Sequence, residues 1–241
     1  TKIEMVDKLF LTNTPIIIEG GYDRPNIYLS FMPKQKAKNQ ILSFINKHQN
    51  SNGIIYCSSR KKTVELANFL LDNGHNNVLP YHAGLSNQDR LYAHEMFKNQ
   101  DDTIITATTA FGMGIDKPNV RFVCHFDMPS NIESYYQEIG RAGRDGLPAD
   151  TLTIYGMDDI ILRGNQIESK DSDQENKRLE FQRLNALISL CDAIRCRRQV
   201  LLNYFNENIE KCNNCDICID GIDLIDGTVD AQKILSAIKR T

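Results

Sequence analysis

Two clusters of residues in this 241-residue chain are spaced for chemistry. The first is the run Gly140-Arg141-Ala142-Gly143-Arg144-Asp145-Gly146. Its two arginines, separated only by Ala142 and Gly143, project guanidinium groups from a backbone that can approach a ligand closely. A planar guanidinium pairs with a phosphoryl group through two parallel hydrogen bonds, and one that neutralises charge on a transferred phosphoryl group is worth about 10³ to 10⁵ in rate. A Gly-Arg turn on a solvated surface has the same composition, so the run alone leaves both readings open. The second cluster is Cys196, followed after fifteen intervening residues by Cys212-x-x-Cys215-x-x-Cys218. Four thiolates offer a closed tetrahedral set, the pattern of a structural zinc. An iron–sulfur cluster is the competing occupant, since C-x₂-C-x₂-C also occurs in ferredoxin-like runs, although there the fourth cysteine normally lies close by with a proline.

A third stretch, from Thr106 and Thr108 through Gly112 and Gly114 to Asp116, combines small hydroxyl residues, glycines and a carboxylate after an apolar run. Hydroxyls and free N–H groups at a strand end suit phosphate contacts, and Asp116 could accept hydrogen bonds from a ribose hydroxyl or from Arg141 or Arg144. The glycines alone are equally compatible with a tight turn.

These residues need a scaffold, and the pattern between 26 and 155 supplies one. Short β-branched or aromatic runs at 27–31, 53–57, 78–82, 103–107, 121–126 and 151–155 alternate with amphipathic stretches at 34–48 and 61–71. Further helices open at Ser86 with Asp89 and at Ser130 with Glu133, both resembling capping boxes. Strands separated by helices imply a parallel sheet with right-handed crossovers, whose ligands gather at the carboxyl ends of the strands. The loops after Cys57, His82, Ala107 and Phe126 are therefore the ones to watch. A polar stretch at 168–176 marks a boundary, after which two helical patterns and the cysteines make a small module.

Read together, Ile55 to Arg60, Tyr81-His82-Ala83-Gly84-Leu85, Ala107 to Val123 and Gln137 to Gly146 resemble helicase motifs IV, IVa, V and VI in order and at family spacing. The forms FGMGIDKPNVRFV and GRAGRDG, with Cys196-Arg197-Arg198, Asn203-Tyr204-Phe205 and the Cys212 to Cys218 run, are similar to RecQ helicases specifically. The resemblance implies an α/β fold, a RecA-like parallel sheet with flanking helices over 1–165, then a small helical zinc-binding module at 166–222 and the start of a winged-helix domain at 223–241. It implies that Gln137, Arg141 and Arg144 face ATP and magnesium bound on a first RecA-like domain of the same protein, with Arg144 favoured as the finger. Gly112, Gly114 and Asp116 would line the nucleotide. Ser58, Arg60, His82, Thr106 and Thr108 would track DNA, as a single strand or at duplex junctions. Cys196, Cys212, Cys215 and Cys218 would hold structural zinc. The activity implied is that of an ATP-dependent 3′-to-5′ DNA helicase of repair and recombination, in the nucleoid of a bacterium or the nucleus of a eukaryote.

Composition sets limits on this picture. The formal net charge is −3 and the pI about 6.0, so any nucleic-acid site must be local. Seven cysteines, an odd number with Cys57 and Cys124 inside apolar runs, suit a reducing compartment better than a disulfide framework. No run of about 18 apolar residues suggests a membrane span. No GxxxxGK[ST] run or DExH pair occurs in the sequence, so the expectation is of a fragment that does not hydrolyse ATP alone. A different class of reading is a zinc-stabilised module that binds DNA or a partner without any ATPase; an RNA helicase is a third, opposed by the cysteine module. Of the remaining candidates, Cys191 reads as core; His82 and His125 both read first as packed or hydrogen-bonded histidines, with His82 the better functional candidate because it stands in the Tyr81 to Leu85 run. The arginines at 195, 197 and 198 read as either a DNA-facing patch or a solvated helix face.

Overall fold

The computed structural model describes residues 20–111, 116–222 and 225–240, together with Lys8. Strands β1 (Ile27–Pro33), β2 (Asn52–Tyr56), β3 (Val78–Tyr81), β4 (Ile104–Ala107), β5 (Val120–His125) and β6 (Ala149–Tyr155) form a six-stranded sheet in the order β1-β6-β5-β2-β4-β3. Every neighbouring pair is parallel. Parallel neighbours need long crossovers, and helices α1 (Ala37–Ile45), α2 (Arg60–Asp72), α3 (Asn87–Asn99) and α4 (Ile132–Ile139) supply them. Central strands β2 and β4 are buried at every residue, which is why they read as unbroken apolar runs.

On one face Ile41 and Ile45 of α1 and Leu66, Ala67 and Leu70 of α2 pack on Ile55, Phe122, Cys124 and Leu152. Gly53 is required there, because a Cβ would stand 2.0 Å from the Phe122 ring. On the other face α3 and α4 cover Ile54, Tyr56 and Ile105. Ser86 caps α3 as expected, accepting from the Asp89 N–H at 3.1 Å and donating to its carboxylate at 2.7 Å. The second expected cap shifts by one residue. Asn131 is the N-cap of α4 and accepts from the Ser134 N–H at 2.8 Å, while Ser130 pairs with the Ser134 hydroxyl. An asparagine carbonyl caps as well as a serine hydroxyl, and here it is the group positioned at the helix start.

The carboxyl-terminal part comprises α5 (Met157–Glu168), which the sequence pattern did not announce, then α6 (Gln174–Cys191), α7 (Arg197–Tyr204), α8 (Asp216–Ile219) and α9 (Thr228–Arg240). Leu184, Leu187, Leu190 and Cys191 of α6, with Cys196, Leu201 and Cys215, join the same apolar cluster as Ile27, Leu29, Phe31 and Tyr135. The cysteine module thus has no separate core. It also takes up the free edge of β1, where alternate residues point their backbone groups outward. Arg198 donates to the Ile27 carbonyl, Leu29 bridges to Cys215, and the Phe31 N–H donates to Asp216 Oδ2 at 2.9 Å. Helix α9 has no buried residue. Among the described residues no helix is long and apolar enough to cross a membrane.

Candidate functional site

Helix α4 runs back against the strands and ends at Gly140, so the arginine run emerges beside the amino ends of β5 and β6. The carboxyl-end loops expected to collect the ligands lie on the opposite edge. The turn is held by hydrogen bonds to its backbone from several directions. Gly143 N–H donates to Val120 O at 2.9 Å and Asp145 N–H to Pro118 O at 3.3 Å. Arg24 donates to the carbonyls of Gly140, Ala142 and Gly143 at 3.3, 2.9 and 2.9 Å, and Asn26 to those of Gly143 and Leu147 at 2.8 and 2.9 Å. Gly143 has φ +54°, and a Cβ on it would lie 2.5 Å from Asn26 Nδ2 and 2.8 Å from Leu147 O. No other residue fits.

On this rigid turn Arg144 is exposed and donates from Nη1 to Asp116 Oδ1 at 2.8 Å, one of the partnerships expected of that carboxylate. Arg141 is half-buried and its guanidinium reaches the Tyr56 hydroxyl: burial raises the Tyr56 pKa, and the Arg141 charge and hydrogen bond oppose it. Gln137 is exposed on α4, four residues earlier. The structure therefore brings Arg144 and Asp116 together, with Arg141 and Gln137 along the same segment. Gly112 and Gly114 fall outside the described residues.

At the carboxyl ends of the strands the organising group is Asp127, just past β5 and 3% exposed. Its carboxylate accepts from the Ser58 N–H and hydroxyl at 2.8 Å each, from Lys62 at 2.5 Å and from Lys34 at 3.2 Å. Burial alone would raise this carboxyl, but the Lys62 and Lys34 ammonium groups and the Ser58 donors outweigh it and hold it below the usual carboxylate value. Ser58 thus spends its donors on Asp127. Arg60 is exposed and lies over Gly84, where a Cβ would meet its Nη1 at 2.9 Å. His82 is 8% exposed and its Nδ1 accepts from the Gly84 N–H at 3.2 Å. Thr108 is half-buried, its N–H donating to Tyr81 O at 3.2 Å.

Thr106 corrects the expectation of a phosphate contact. It is wholly buried and its hydroxyl donates to Thr63 O at 3.0 Å, bracing α2 on β4, because strand alternation turns it to that face. His125 is a packed histidine between Thr153 Oγ1 at 2.9 Å and Glu138 Oε2 at 3.0 Å. Arg24, Asn26 and Asp127 escaped sequence reasoning. Only Asp127, a carboxylate directly after an apolar strand run, carried a local signal; the partners of Arg24 and Asn26 are backbone carbonyls more than a hundred residues away.

The ligand sulfurs of Cys196, Cys212, Cys215 and Cys218 all lie within 4.8 Å of one another, and Cys212 and Cys218 are 4.0 Å apart. Tetrahedral zinc with bonds of about 2.3 Å spaces its sulfurs about 3.8 Å apart, so the set fits one zinc ion. A [4Fe–4S] cluster, which binds each thiolate to a different iron, needs a wider ring. Burial raises the thiols of Cys212, Cys215 and Cys218; Cys196, also pushed up by burial, is brought down to about 7 by backbone N–H donors including Cys212. Cys191 is buried at the end of α6, outside this set. Of the three neighbouring arginines Arg195 is exposed, but Arg197 and Arg198 fit neither surface reading, being 6% and 3% exposed. Arg197 donates to Asp216 at 2.9 Å and to the carbonyls of Leu190 and Cys191, with its guanidinium 4.9 Å from the Phe31 ring centre. Arg198 donates to Asp23 at 2.8 Å and to the carbonyls of Arg24 and Ile27.

A family model described as the helicase conserved C-terminal domain matches residues 35–146, and one described as RecQ zinc-binding matches residues 157–219. The ATP-dependent DNA helicase RecQ of Pasteurella multocida is 43% identical over 229 residues, covering 94% of this chain, and its Haemophilus influenzae counterpart 44% over 223 residues, covering 92%. The chain spans 36% of the length of each. Among solved structures, the E. coli DEAD-box protein SrmB, crystallised with the regulator of ribonuclease activity A, matches with a TM-score of 0.50 at 25% identity, covering 61% of this chain and 87% of that one. The sheet, the arginine turn, the four cysteines and these matches agree that the chain belongs to the RecQ helicase family, carrying its conserved C-terminal helicase domain and its zinc-binding segment.

Proposed function

We propose that this chain forms the second motor domain, over 1–165, and the zinc module, over 166–222, of an ATP-dependent 3′-to-5′ DNA helicase acting inside the cell, in the bacterial nucleoid or the eukaryotic nucleus. Residues 223–241 open the winged-helix domain that follows. The observation that carries this reading is an exposed arginine on a turn whose backbone is held by Arg24, Asn26 and the strand β5 entry. Charge stabilisation is effective when the donor is already in place, and Arg144 meets that condition. ATP and magnesium bind on a first RecA-like domain of the same protein, and closure of the two domains brings Arg144 to the γ-phosphate, with Arg141 and Gln137 beside it and Asp116 releasing Arg144 to the nucleotide. Arg60, with Thr108 and His82 behind it, faces one DNA strand. Zinc has a structural part: the four thiolates fasten the module onto β1.

In the full-length protein Arg144→Ala should keep most nucleotide affinity and lose on the order of 10³-fold in kcat, since a finger acts in the transition state. Arg144→Lys should not rescue it, because an ammonium lacks the planar fork. Near-normal turnover in Arg144→Ala would remove the role from this residue. DNA-stimulated ATP turnover by the 241-residue chain alone would overturn the assignment of the nucleotide site to another domain.

A further inference from the structure

We propose that Arg24 is a positioning residue for the arginine turn, and that the stretch 21–26 transmits the seating of the zinc module to Arg141 and Arg144. This rests on the reading of Arg144 as the finger. The stretch lies between the two. Toward the module, the Tyr22 ring stacks on Phe205 at 4.9 Å and its N–H donates to Glu207 at 2.7 Å. Arg198 holds Asp23 and the Arg24 carbonyl, and Asn214 donates to Pro25 O at 2.8 Å. Toward the turn, the intervening side chains do the gripping: Arg24 through three carbonyls and Asn26 through two. The Tyr136 hydroxyl closes the assembly by donating to Tyr22 O at 2.8 Å.

The chemistry of the contact suits positioning. The carbonyls of Gly140, Ala142 and Gly143 lie just past the carboxyl end of α4, where the partial negative charge of the helix favours a cation. One planar guanidinium spanning all three fixes their relative orientation, and hence the direction in which the arginines on either side of Ala142 and Gly143 project. Arg24 spends its guanidinium on these carbonyls and so acts through the turn.

Misplacing a reacting group by about 1 Å costs about 10²-fold in rate. In the full-length protein Arg24→Ala should therefore lower kcat by about 10- to 100-fold with little change in KM for ATP, because the primary nucleotide site lies elsewhere. Asn26→Ala should act in the same direction by a smaller factor. Zinc should stay at one per chain in both, and trypsin should cut at Arg141 or Arg144 faster than in the parent. The double variant Arg24→Ala, Arg144→Ala should fall well short of the product of the two single losses, since most of the Arg24 effect passes through Arg144. If Arg144→Ala cripples turnover but the Arg24→Ala factor multiplies with it in full, or if Arg24→Ala and Asn26→Ala both turn over normally, the positioning role is wrong while the finger survives. If Arg144→Ala turns over normally, the finger reading fails first. Should Arg24→Ala lose zinc or unfold, the Asn26→Ala factor and its cycle with Arg144→Ala decide the matter on the same terms.

Discussion

Replacing Gly143 with alanine inserts one methyl group at the most crowded point of the arginine turn, and a second glycine nearby shows how much of the cost comes from crowding. Both Gly143 and Gly146 have positive φ, +54° and +79°. A Cβ at Gly146 would have nothing within 4 Å, whereas one at Gly143 would stand 2.5 Å from Asn26 Nδ2 and 3.1 Å from the Ala149 Cβ. An alanine in left-handed backbone costs about 1 to 2 kcal/mol at either site. Overpacking adds about 1 to 3 kcal/mol at Gly143 alone. The entropy that alanine removes from the unfolded chain is common to both and cancels in the comparison. Urea denaturation should therefore place Gly143→Ala below Gly146→Ala by about 0.5 to 1.5 M in midpoint, taking a slope of about 2 kcal/mol per M. Far-ultraviolet circular dichroism is the suitable probe, since the chain has no tryptophan. Equal midpoints would show that Asn26 and Leu147 do not enclose Gly143.

The zinc module offers a sharper contrast. Cys212→Ser or Cys215→Ser should abolish metal binding worth about 10 to 16 kcal/mol and with it the protease resistance of α6 to α8, while Cys191→Ser keeps one zinc by metal analysis. A variant at Cys215 that stays folded and metal-free would refute the assignment. Asp127→Asn should cost about 2 to 4 kcal/mol, less than the ~3 to 5 of a fully buried pair because Lys62 is 37% exposed and Lys34 keeps Asp159 at 2.7 Å. Since the Asp127 carboxyl is held below its usual value, its contribution is complete above about pH 4 and drains away as pH falls through the folded value. The variant should show a flatter acid limb in a stability titration; an unchanged limb would place the acid sensitivity elsewhere.

Much of the scaffold was legible because parallel strands buried on both faces must be apolar throughout, as at Ile54-Ile55 and Ile104-Ile105. Helix α5 was not, since Asp158, Asp159 and Asn165 interrupt its apolar spacing and only Asp159 and Ile167 in it are buried. Local chemistry also betrayed the cysteine set and the pairing of Asp116 with Arg144. The inward turn of Arg197 and Arg198 had no such signal. Their partners are a carboxylate and backbone carbonyls brought in by tertiary packing, and a buried arginine satisfied by carbonyls looks in sequence like any other arginine. The edge on which the arginine turn emerges depends likewise on α4 running antiparallel to its strand, a matter of topology that the spacing of motifs does not record.

The attachment of the cysteine module along β1 bears on how the protein behaves in a crowded solution. A seven-residue edge strand of sequence IYLSFMP, with its outward N–H and C=O groups unmatched, is a template for pairing with the same strand of another molecule. Here Arg198, Cys215 and Asp216 occupy that template at Ile27, Leu29 and Phe31. A chelated protein therefore becomes adhesive as soon as α8 leaves the strand, while the rest of the sheet is still intact, so its first sign of damage is self-association along one edge, with secondary structure retained.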